Sequence, residues 1–325
     1  MILAAGFGTR LKPITDYIPK PLVPILNKPL IEYTIDLLAR HKITDIYINL
    51  HYLMDSLATY LGDGKKYGVK ITYSKEKEIL GTGGGIKKCE KFLKDGPFLV
   101  INSDILLDID LFDLIQKHEE SGALATMVLR KHPESKKYGE FSVDENGLIV
   151  NFLGKGENIS NHYMFTGVHL LEPEVFNYLE TSRFSSIIDS FYRKAFDDGK
   201  ALLGYIMEGY WSDVGTLDNY LQTSLEVLRS KYEIDKDYAA FSLNETVYIG
   251  ENVKIKPPVY FGSHIKLLTD SIIGPDVILG NNTVIYSPEG IEESIILNET
   301  EYRANSAEKN IIACRESIEK LTIVS

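Results

Sequence analysis

The segment from residue 6 to residue 29, GFGTRLKPITDYIPKPLVPILNKP, constrains the local fold more than any other stretch of the chain. It follows an apolar start, MILAA, that is typical of a short buried strand. Gly6 and Gly8 permit a tight backbone turn whose N–H groups can point inward and form a concave anion site. Five prolines then prevent a continuous helix. They are Pro13, Pro19, Pro21, Pro24 and Pro29.

The same residues exclude two common phosphate-binding loops. A dinucleotide-binding fingerprint requires a third glycine or an alanine where this chain has Leu11. A Walker loop ends in Gly-Lys-Ser or Gly-Lys-Thr, and the segment contains neither. What remains is an extended loop that holds Arg10 and Lys20 over a glycine turn, which suits a triphosphate.

The pattern GFGTRLKPIT followed by PKPLVPILNKP resembles the signature of the sugar-1-phosphate nucleotidyltransferases, also called nucleotide-sugar pyrophosphorylases. Further similar stretches extend the resemblance over residues 1–230. They are LGTGGGIKK (80–88), VINSD (100–104), FTGVHLL (165–171) and WSDVGT (211–216). The resemblance implies attack by a sugar-1-phosphate oxygen on the α-phosphorus of a nucleoside triphosphate, with release of diphosphate.

The composition is that of an ordinary globular chain long enough for two domains. Its 325 residues are 44% hydrophobic and 25% charged. The net charge of −11 argues against a nucleic-acid partner, which would need a basic face. Two cysteines, Cys89 and Cys314, are too few for a disulfide framework and indicate a cytoplasmic location.

Targeting segments are not evident in the sequence. No apolar run reaches the length of a membrane span, so we expect no membrane partner. The start MILAAGFG lacks the basic region of a signal peptide. Because similar proteins usually have a few residues before this strand, we expect the chain to be slightly truncated at Met1.

Helix and strand patterns alternate through the first half of the chain. Strands are predicted at 45–50, 69–73, 97–104 and 123–130, and helices after Pro29 and at 52–61, 83–92 and 111–120. The alternation predicts an α/β fold with a mostly parallel, Rossmann-like sheet, which binds ligands at the carboxyl ends of its strands. The resemblance extends this nucleotidyltransferase domain over residues 1–232, with a sugar-binding half made of short strands from 138 to 171.

Residues 247–297 have a different pattern, in which aliphatic or aromatic residues precede glycine at close spacing. The pairs are Ile249-Gly250, Phe261-Gly262, Ile273-Gly274 and Leu279-Gly280. This resembles the hexapeptide repeat of a short left-handed parallel β-helix, predicted over 240–300; a small β-sandwich is the alternative. Open coil ends are commonly covered by self-association, so we expect a homo-oligomer. Residues 301–325 are predicted to be a tail with a short helix.

The resemblance implies specific nucleotide contacts. Arg10 would hold the departing diphosphate, and Lys20 would neutralise the phosphates around the reacting centre. The other residues placed against the nucleotide are Leu3, Ala4, Ala5, Gly6, Gly8, Thr9, Glu76, Gly81, Gly83 and Asp104. Gly83 in particular would let the base approach closely.

Two further sets of residues are implied by family position. Asp104 and Asp213 would bind Mg²⁺, which is usually held by one or two carboxylates and substrate oxygens. Taken alone, Asp104 would more often be a turn residue, and Asp213 would more often cap the following helix. The sugar phosphate would contact Gly139, Glu140, Lys155, Thr166 and Gly167. Lys155 lies in FLGKG where similar proteins have Glu-Lys-Pro, so its equivalence is open.

The base is predicted from Glu76. A carboxylate can accept both adjacent N–H groups of guanine, whereas the carbonyl oxygens of uracil would repel it. KEKEILGTGGGIKK also resembles guanylyltransferases of mannose or manno-heptose phosphates, which favours GTP. The alternative is UTP, because residues 45–73 resemble N-acetylmuramate-1-phosphate uridylyltransferases. Glu76 could also be one solvated charge in Lys75-Glu76-Lys77-Glu78.

Two other classes of protein remain as alternatives. A noncatalytic regulatory subunit would be favoured by loss of Arg10, Lys20, Asp104 or Asp213, and all four are present. An acyltransferase built on the β-helix would need many coils and usually a catalytic histidine, and the short repeat contains only His264.

Overall fold

The chain packs as two compact units that interleave along the sequence. The computed structural model describes residues 1–131, 140–157, 162–181, 183–229, 246–315 and 317–320. One unit, the sheet unit, comprises Met1–Phe7 and Thr34–Trp211; the other, the coil unit, comprises Gly8–Tyr33 and Ser212–Ser325. Gly8–Tyr33 thus packs in the coil unit, although in sequence it lies within the predicted domain 1–232. The predicted boundaries at 232 and 240 and the linker fall in 230–245, outside the described residues.

A seven-stranded sheet forms the core of the sheet unit. In spatial order its strands are Leu202–Ile206, Ala125–Arg130, Met164–Leu171, Phe98–Asn102, Ile2–Leu3, Asp45–Leu50 and Lys70–Lys75. All run in one direction except Met164–Leu171, which is antiparallel to both neighbours. The predicted mostly parallel sheet is confirmed. Met164–Leu171, which lies in the region of short strands predicted from 138 to 171, is part of this sheet.

Helices and turns connect the strands. In the described ranges the helices are Leu30–Arg40, Met54–Leu61, Gly81–Lys88, Glu90–Leu93, Leu111–Ser121, Arg193–Asp197 and Leu217–Leu228, with a π-helical turn at Ile188–Tyr192. The 3-10 turns are Thr9–Leu11, Ile14–Asp16, Lys20–Leu22, Lys65–Tyr67 and Pro173–Asn177. In the described part of the chain, no helix combines the length and the hydropathy needed to cross a bilayer.

The remaining strands of the first 230 residues are short. Phe141–Val143, Ile149–Phe152 and Lys155–Gly156 form a separate three-stranded antiparallel sheet. Pro24–Ile25 and Lys28–Pro29 form a hairpin in the coil unit. Ile105–Leu107 and Trp211–Asp213 are the other short strands among the described residues of this region.

Three parallel sheets form the sides of a short β-helix. The first consists of Val247–Ile249, Ile265–Leu267, Val284–Tyr286 and Glu301–Arg303. The second consists of Lys254–Ile255, Ile272–Ile273, Ile291–Glu292 and Glu308–Lys309, and the third begins with Val259–Phe261, Val277–Leu279, Ser294–Ile296 and Ile311–Cys314. Equivalent strands start 17 to 19 residues apart, close to three hexapeptides.

The corners of the β-helix explain its sequence. His264, Asn282 and Glu299 occupy matching corners with φ of 58°, 57° and 59°. At each corner, a residue with positive φ turns the chain into the next side of the β-helix. After glycine, asparagine adopts this left-handed conformation most readily. Between the corners, aliphatic side chains such as Ile265 and Ile285 point inward and are fully buried.

The predicted tail differs from the structure. Strands continue through 301–314 as a fourth coil, and Ser317–Lys320 pairs antiparallel with Ile311–Cys314. The expected short helix is therefore wrong for these residues. The reason is that Tyr302 and Ile311 repeat the inward positions of earlier coils and are buried at 1% and 0% exposure.

Candidate functional site

Gly6 and Gly8 of the first loop play different structural roles. Gly8 has φ of 66°, and a Cβ there would lie 2.9 Å from Thr15 Cγ2 and 3.1 Å from Lys20 Cβ. The Gly8 carbonyl accepts hydrogen bonds from Thr15 Oγ1 at 2.8 Å and Leu11 N at 2.9 Å. Gly6 is exposed, and no atom lies within 4 Å of where its Cβ would be. Packing therefore requires glycine at residue 8, whereas the space beside residue 6 is open.

The coil unit brings Arg10 close to Asp213, far along the chain. A Cβ on Gly215 would lie 2.6 Å from Asp213 Oδ1 and 2.8 Å from Arg10 Nη2. Gly215 in WSDVGT is therefore the residue whose missing side chain makes room for both charged groups. Asn219 Nδ2 holds this turn by donating to the Asp213 carbonyl at 2.9 Å.

The following helix, Leu217–Leu228, is not capped by Asp213. Its N-cap is Thr216, whose Oγ1 accepts from Asn219 N at 3.2 Å. The capping alternative for Asp213 is therefore wrong, and its carboxylate lies beside Arg10 instead.

Lys20 is a buried cation of the same unit. Only 8% of the residue is exposed, and it engages another group in the structure. Charged side chains are seldom buried unless they are paired. Lys20 begins the turn Lys20–Leu22, and its carbonyl accepts from Val23 N at 3.1 Å. Thr9 and Arg10, in contrast, are exposed.

The backbone of residues 3 to 5 is largely committed inside the sheet unit. Ala4 N donates to Asn49 Oδ1 at 2.8 Å, and the Leu3 carbonyl accepts from Ser103 N at 3.0 Å. Ala4 and Ala5 are 5% and 8% exposed. The Ala4 N–H and the Leu3 carbonyl, in the backbone predicted to face the nucleotide, therefore form hydrogen bonds within the protein.

Glu76, predicted from the sequence to read the base, is fully buried in the structure. Its exposed fraction is 0%. Asn49 Nδ2 donates to Glu76 Oε1 at 2.8 Å, and Leu80 N donates to Oε2 at 3.0 Å. Both carboxylate oxygens thus bind protein donors, and the residue joins the end of strand Asp45–Leu50 to the loop before the glycine-rich helix. It is also not the solvated charge that the local sequence suggested.

The glycines of the 81–85 run are required by packing. A Cβ on Gly83 would lie 2.7 Å from Ser185 Oγ and 2.9 Å from Ser190 Oγ, and one on Gly81 would lie 2.6 Å from the Ser185 carbonyl. Gly83 N donates to that carbonyl at 2.8 Å. In the structure, the group that closely approaches Gly83 is therefore Ser185.

Asp104 lies at the carboxyl end of a central strand, as predicted. It follows Phe98–Asn102, is partly buried and engages another group in the structure. Asp104 and Asp213 belong to different packing units. Among the described residues, no group of three or more His, Cys, Asp or Glu is arranged to hold a metal ion.

Thr166 and Gly167 form a bulge in the antiparallel strand. The pairing with Ala125–Arg130 shifts register between Phe165 and His169, and Gly167 has φ of 88°. Thr166 is 1% exposed; its Oγ1 donates to the Val128 carbonyl at 2.8 Å, and its carbonyl accepts from Trp211 Nε1 at 2.9 Å. The Thr166 hydroxyl thus bonds within the protein, and the predicted sugar contact of Thr166 and Gly167 stays a prediction.

The other predicted sugar residues belong to the region of the small antiparallel sheet, where Leu153 N donates to the Glu140 carbonyl at 2.8 Å and Lys155 pairs with Phe152. Gly139 lies outside the described residues. Glu140 Oε1 is buried and has no hydrogen-bond partner among the described residues. Lys155 Nζ forms an ion pair with Asp197 Oδ1 at 2.5 Å, with the lysine side chain 59% exposed. Sequence reasoning missed Asn49 and Ser185, for which only their partners elsewhere in the chain provide a signal. It also missed Gly215, although this glycine lies in the quoted stretch WSDVGT.

Comparison with known proteins identifies the family. Residues 1–230 match the family described as Nucleotidyl transferase. A Synechocystis sp. protein named UTP–glucose-1-phosphate uridylyltransferase is 33% identical over 313 residues, which cover 88% of this chain and 80% of that protein. The mannose-1-phosphate guanyltransferase of Debaryomyces hansenii is 35% identical over 262 residues, covering 79% and 71%.

Solved structures agree with this result. A Bacillus anthracis protein assigned as a glucose-1-phosphate thymidylyltransferase superimposes with a TM-score of 0.62 at 27% identity, covering 72% of this chain and 96% of that one. The fold, the signature loop and the matched length all agree, and the chain belongs to the nucleotidyl transferase family.

Proposed function

We propose that this chain is a sugar-1-phosphate nucleotidyltransferase that produces a nucleotide sugar and diphosphate. The observation that carries the proposal is the meeting of Arg10 and Asp213 around Gly215, because it joins two signature motifs that are distant in the sequence. A guanidinium fork matches phosphate oxygens, and a carboxylate suits Mg²⁺. The relatives reported above are named for reactions of this type.

In this proposal the sugar-phosphate oxygen forms a bond to the α-phosphorus, and the bond from that phosphorus to the leaving diphosphate breaks. Arg10 holds the diphosphate, and Lys20 offsets charge near the reacting centre. Asp104 and Asp213 are the proposed carboxylates for Mg²⁺, which would neutralise phosphate charge. The open space at Gly6 supports a ligand at that end of the first strand. Glu140, with its unpartnered Oε1, is the best-supported sugar contact.

For the substrates we propose GTP and mannose 1-phosphate, after the Debaryomyces relative. UTP with glucose 1-phosphate is a second candidate, because the Synechocystis relative aligns with 88% of this chain. The buried Glu76 supports neither base. A noncatalytic regulatory subunit would show no turnover with any pair of substrates.

The test is diphosphate release from GTP, UTP, dTTP and ATP with mannose, glucose and N-acetylglucosamine 1-phosphates, with Mg²⁺ and with EDTA. We expect Mg²⁺-dependent turnover with one preferred pair. Asp104→Asn and Asp213→Asn should each lower kcat by about 100-fold or more, because a ligand is lost without a change in volume. Asp16→Asn is the matched control, since Asp16 is exposed and pairs with Lys12. Near wild-type rates in both ligand variants would contradict the assignment.

We also propose that the protein is cytosolic and self-associates. Support for the first comes from two free, buried cysteines, of which Cys89 has its thiol pKa raised by burial. Support for the second comes from exposed apolar side chains at both ends of the β-helix, Tyr248 and Ile249 on the first coil and Ile318 on the last strand.

A further inference from the structure

The hairpin that follows Lys20 has its turn seated on the β-helix, within the coil unit. Its turn residues, Leu26 and Asn27, have φ of 47° and 61°, as in tight hairpin turns. Leu26 is only 3% exposed although it lies at the tip. The Asn27 side chain hydrogen-bonds to the Tyr260 hydroxyl, and its Nδ2 lies 3.5 Å from Asn281 Oδ1. The tip therefore contacts two successive coils.

The β-helix is shaped to receive this side chain. A Cβ on Gly262 would overlap Asn27 Nδ2 and would lie 2.6 Å from Asn281 Oδ1. Asn281 Oδ1 also accepts from Ser263 N at 2.8 Å, and Asn281 N donates to Asn298 Oδ1 at 2.7 Å. Asn27 thus extends a row of amide groups that runs along one corner of the coils.

The rest of the hairpin is held by buried tyrosines of the same unit. Tyr220 Oη donates to the Pro24 carbonyl at 2.8 Å, and Tyr33 Oη donates to the Ile25 carbonyl at 2.9 Å. Tyr220 is 0% exposed and Tyr33 is 5% exposed. Both residues of strand Pro24–Ile25, which follows the Lys20 turn, are therefore held by hydrogen bonds from tyrosine hydroxyls.

Backbone hydrogen bonds connect the hairpin to Lys20. Leu30 N donates to the Val23 carbonyl at 3.0 Å, and Val23 N donates to the Lys20 carbonyl at 3.1 Å. The Lys20 Cβ in turn packs against Gly8, the residue with positive φ in the first turn. The hairpin, Lys20 and the glycine turn are therefore joined by a continuous series of contacts.

We infer that Asn27 is a positioning residue through which the β-helix sets the place of Lys20. The inference rests on the proposed function for its kinetic consequence, since Lys20 acts there on the substrate phosphates. Asn27 itself contacts no substrate in this scheme. Its effect is on geometry, to which transfer reactions are steeply sensitive.

Four full-length variants test the inference. Asn27→Gly removes the side-chain amide and keeps the left-handed turn. Asn27→Asp keeps the side-chain shape but places a carboxylate oxygen against Asn281 Oδ1, which is also an acceptor. Tyr260→Phe removes only the hydroxyl on the coil side. The matched control is Asn252→Gly, at another left-handed corner with φ of 57°, where Asn252 Nδ2 bonds Asp270 Oδ1 at 3.0 Å and the hairpin is not involved.

We expect Asn27→Gly and Asn27→Asp to lower kcat on the order of tenfold with little change in KM. Tyr260→Phe should have a smaller effect in the same direction, and Asn252→Gly should have none. Backbone hydrogen exchange, which needs no substrate, should become faster for residues 9–23 in the Asn27 variants, while the seven-stranded sheet keeps its protection.

Unchanged exchange at residues 9–23 in both Asn27 variants would overturn the inference, as would a loss of kcat in Asn252→Gly equal to theirs. A lower melting temperature with wild-type kcat would show that the contact is structural only and would overturn it as well. If the wild-type protein turned over no substrate pair, the proposed function would fail, and the exchange measurement would still decide whether Asn27 holds the loop.

Discussion

At the scale of single residues, Glu76 shows that the neighbouring sequence can mispredict the exposure of a side chain. Its sequence context, Lys75-Glu76-Lys77-Glu78, is charged and suggests exposure. In the structure, Glu76 has no exposed surface and accepts hydrogen bonds from Asn49 and Leu80. Because Asn49 also accepts from Ala4 N, the carboxylate links three segments of the sheet unit. These hydrogen bonds order the loop that leads into the glycine-rich helix.

Replacement of Glu76 by glutamine tests this role. The new amide nitrogen would face a donor, Leu80 N or Asn49 Nδ2, and one buried group would be left without a partner. We expect a loss of about 1–3 kcal/mol in unfolding free energy, measured by urea denaturation, and an unchanged ratio of kcat/KM for GTP and UTP. Glu78→Gln is the control, since Glu78 is exposed. A changed ratio with unchanged stability would restore the base-reading hypothesis.

At the scale of elements, the antiparallel strand Met164–Leu171 combines the Gly167 bulge with a buried histidine. His169 is 1% exposed, and its Nδ1 lies 2.8 Å from Tyr192 Oη. Burial lowers the pKa of His169 from 6.5 to about 3. The strand therefore holds a neutral imidazole in the middle of the sheet over most of the pH range in which proteins are studied.

This histidine makes stability depend on pH. Between pH 6.5 and about 3 the unfolded chain binds a proton at His169 that the folded chain does not bind, so its contribution is lost as pH falls. The slope from this group approaches about 1.4 kcal/mol per pH unit below pH 6. Urea denaturation from pH 7.5 to 4.5 should show a smaller slope for His169→Gln than for wild type. His162→Gln, at an exposed histidine, should keep the wild-type slope; equal slopes in all three proteins would contradict the assignment.

At the scale of the whole molecule, the β-helix is part of the same packing unit as the first loop. Arg10, Lys20 and Asp213 all belong to the unit that contains the coils. The β-helix and the signature loop therefore belong to one packing unit. We expect that loss of the β-helix would disturb the structure of the loop. The ion pair of Arg229 Nη2 with Asp276 Oδ2, at 2.7 Å, ties the end of helix Leu217–Leu228 to a coil corner in the same way.

Self-association is the prediction that belongs to this scale. Tyr248 and Ile249 are 61% and 42% exposed on the first strand of one side of the coils. Apolar strands at a sheet end commonly pair with another copy. Light scattering of the full-length protein at micromolar concentration should give a dimer or larger, and Ile249→Glu should dissociate it. Phe184→Glu, at an exposed phenylalanine of the sheet unit, is the control; a monomeric wild type would rule out the idea.

The sequence by itself determined the features that depend on neighbours in the chain. Alternating helix and strand patterns predicted the parallel sheet, and the start of helix Leu30–Arg40 just after Pro29 follows from proline chemistry. Aliphatic and glycine spacing predicted the coils, and the last coil was missed where polar residues of 298–310 hid the period. These features are local, because turn chemistry and burial periodicity act over a few residues.

Only the tertiary structure decided which groups meet. It buried Glu76 against Asn49, filled the space beside Gly83 with Ser185, and brought Arg10 to Asp213. It also seated Asn27 on coils that begin more than two hundred residues later. The physical reason is that a side chain's partner is set by packing between distant segments, which local spacing does not encode, whereas the hydrogen bonds and the exclusion of water that define a site depend on that partner.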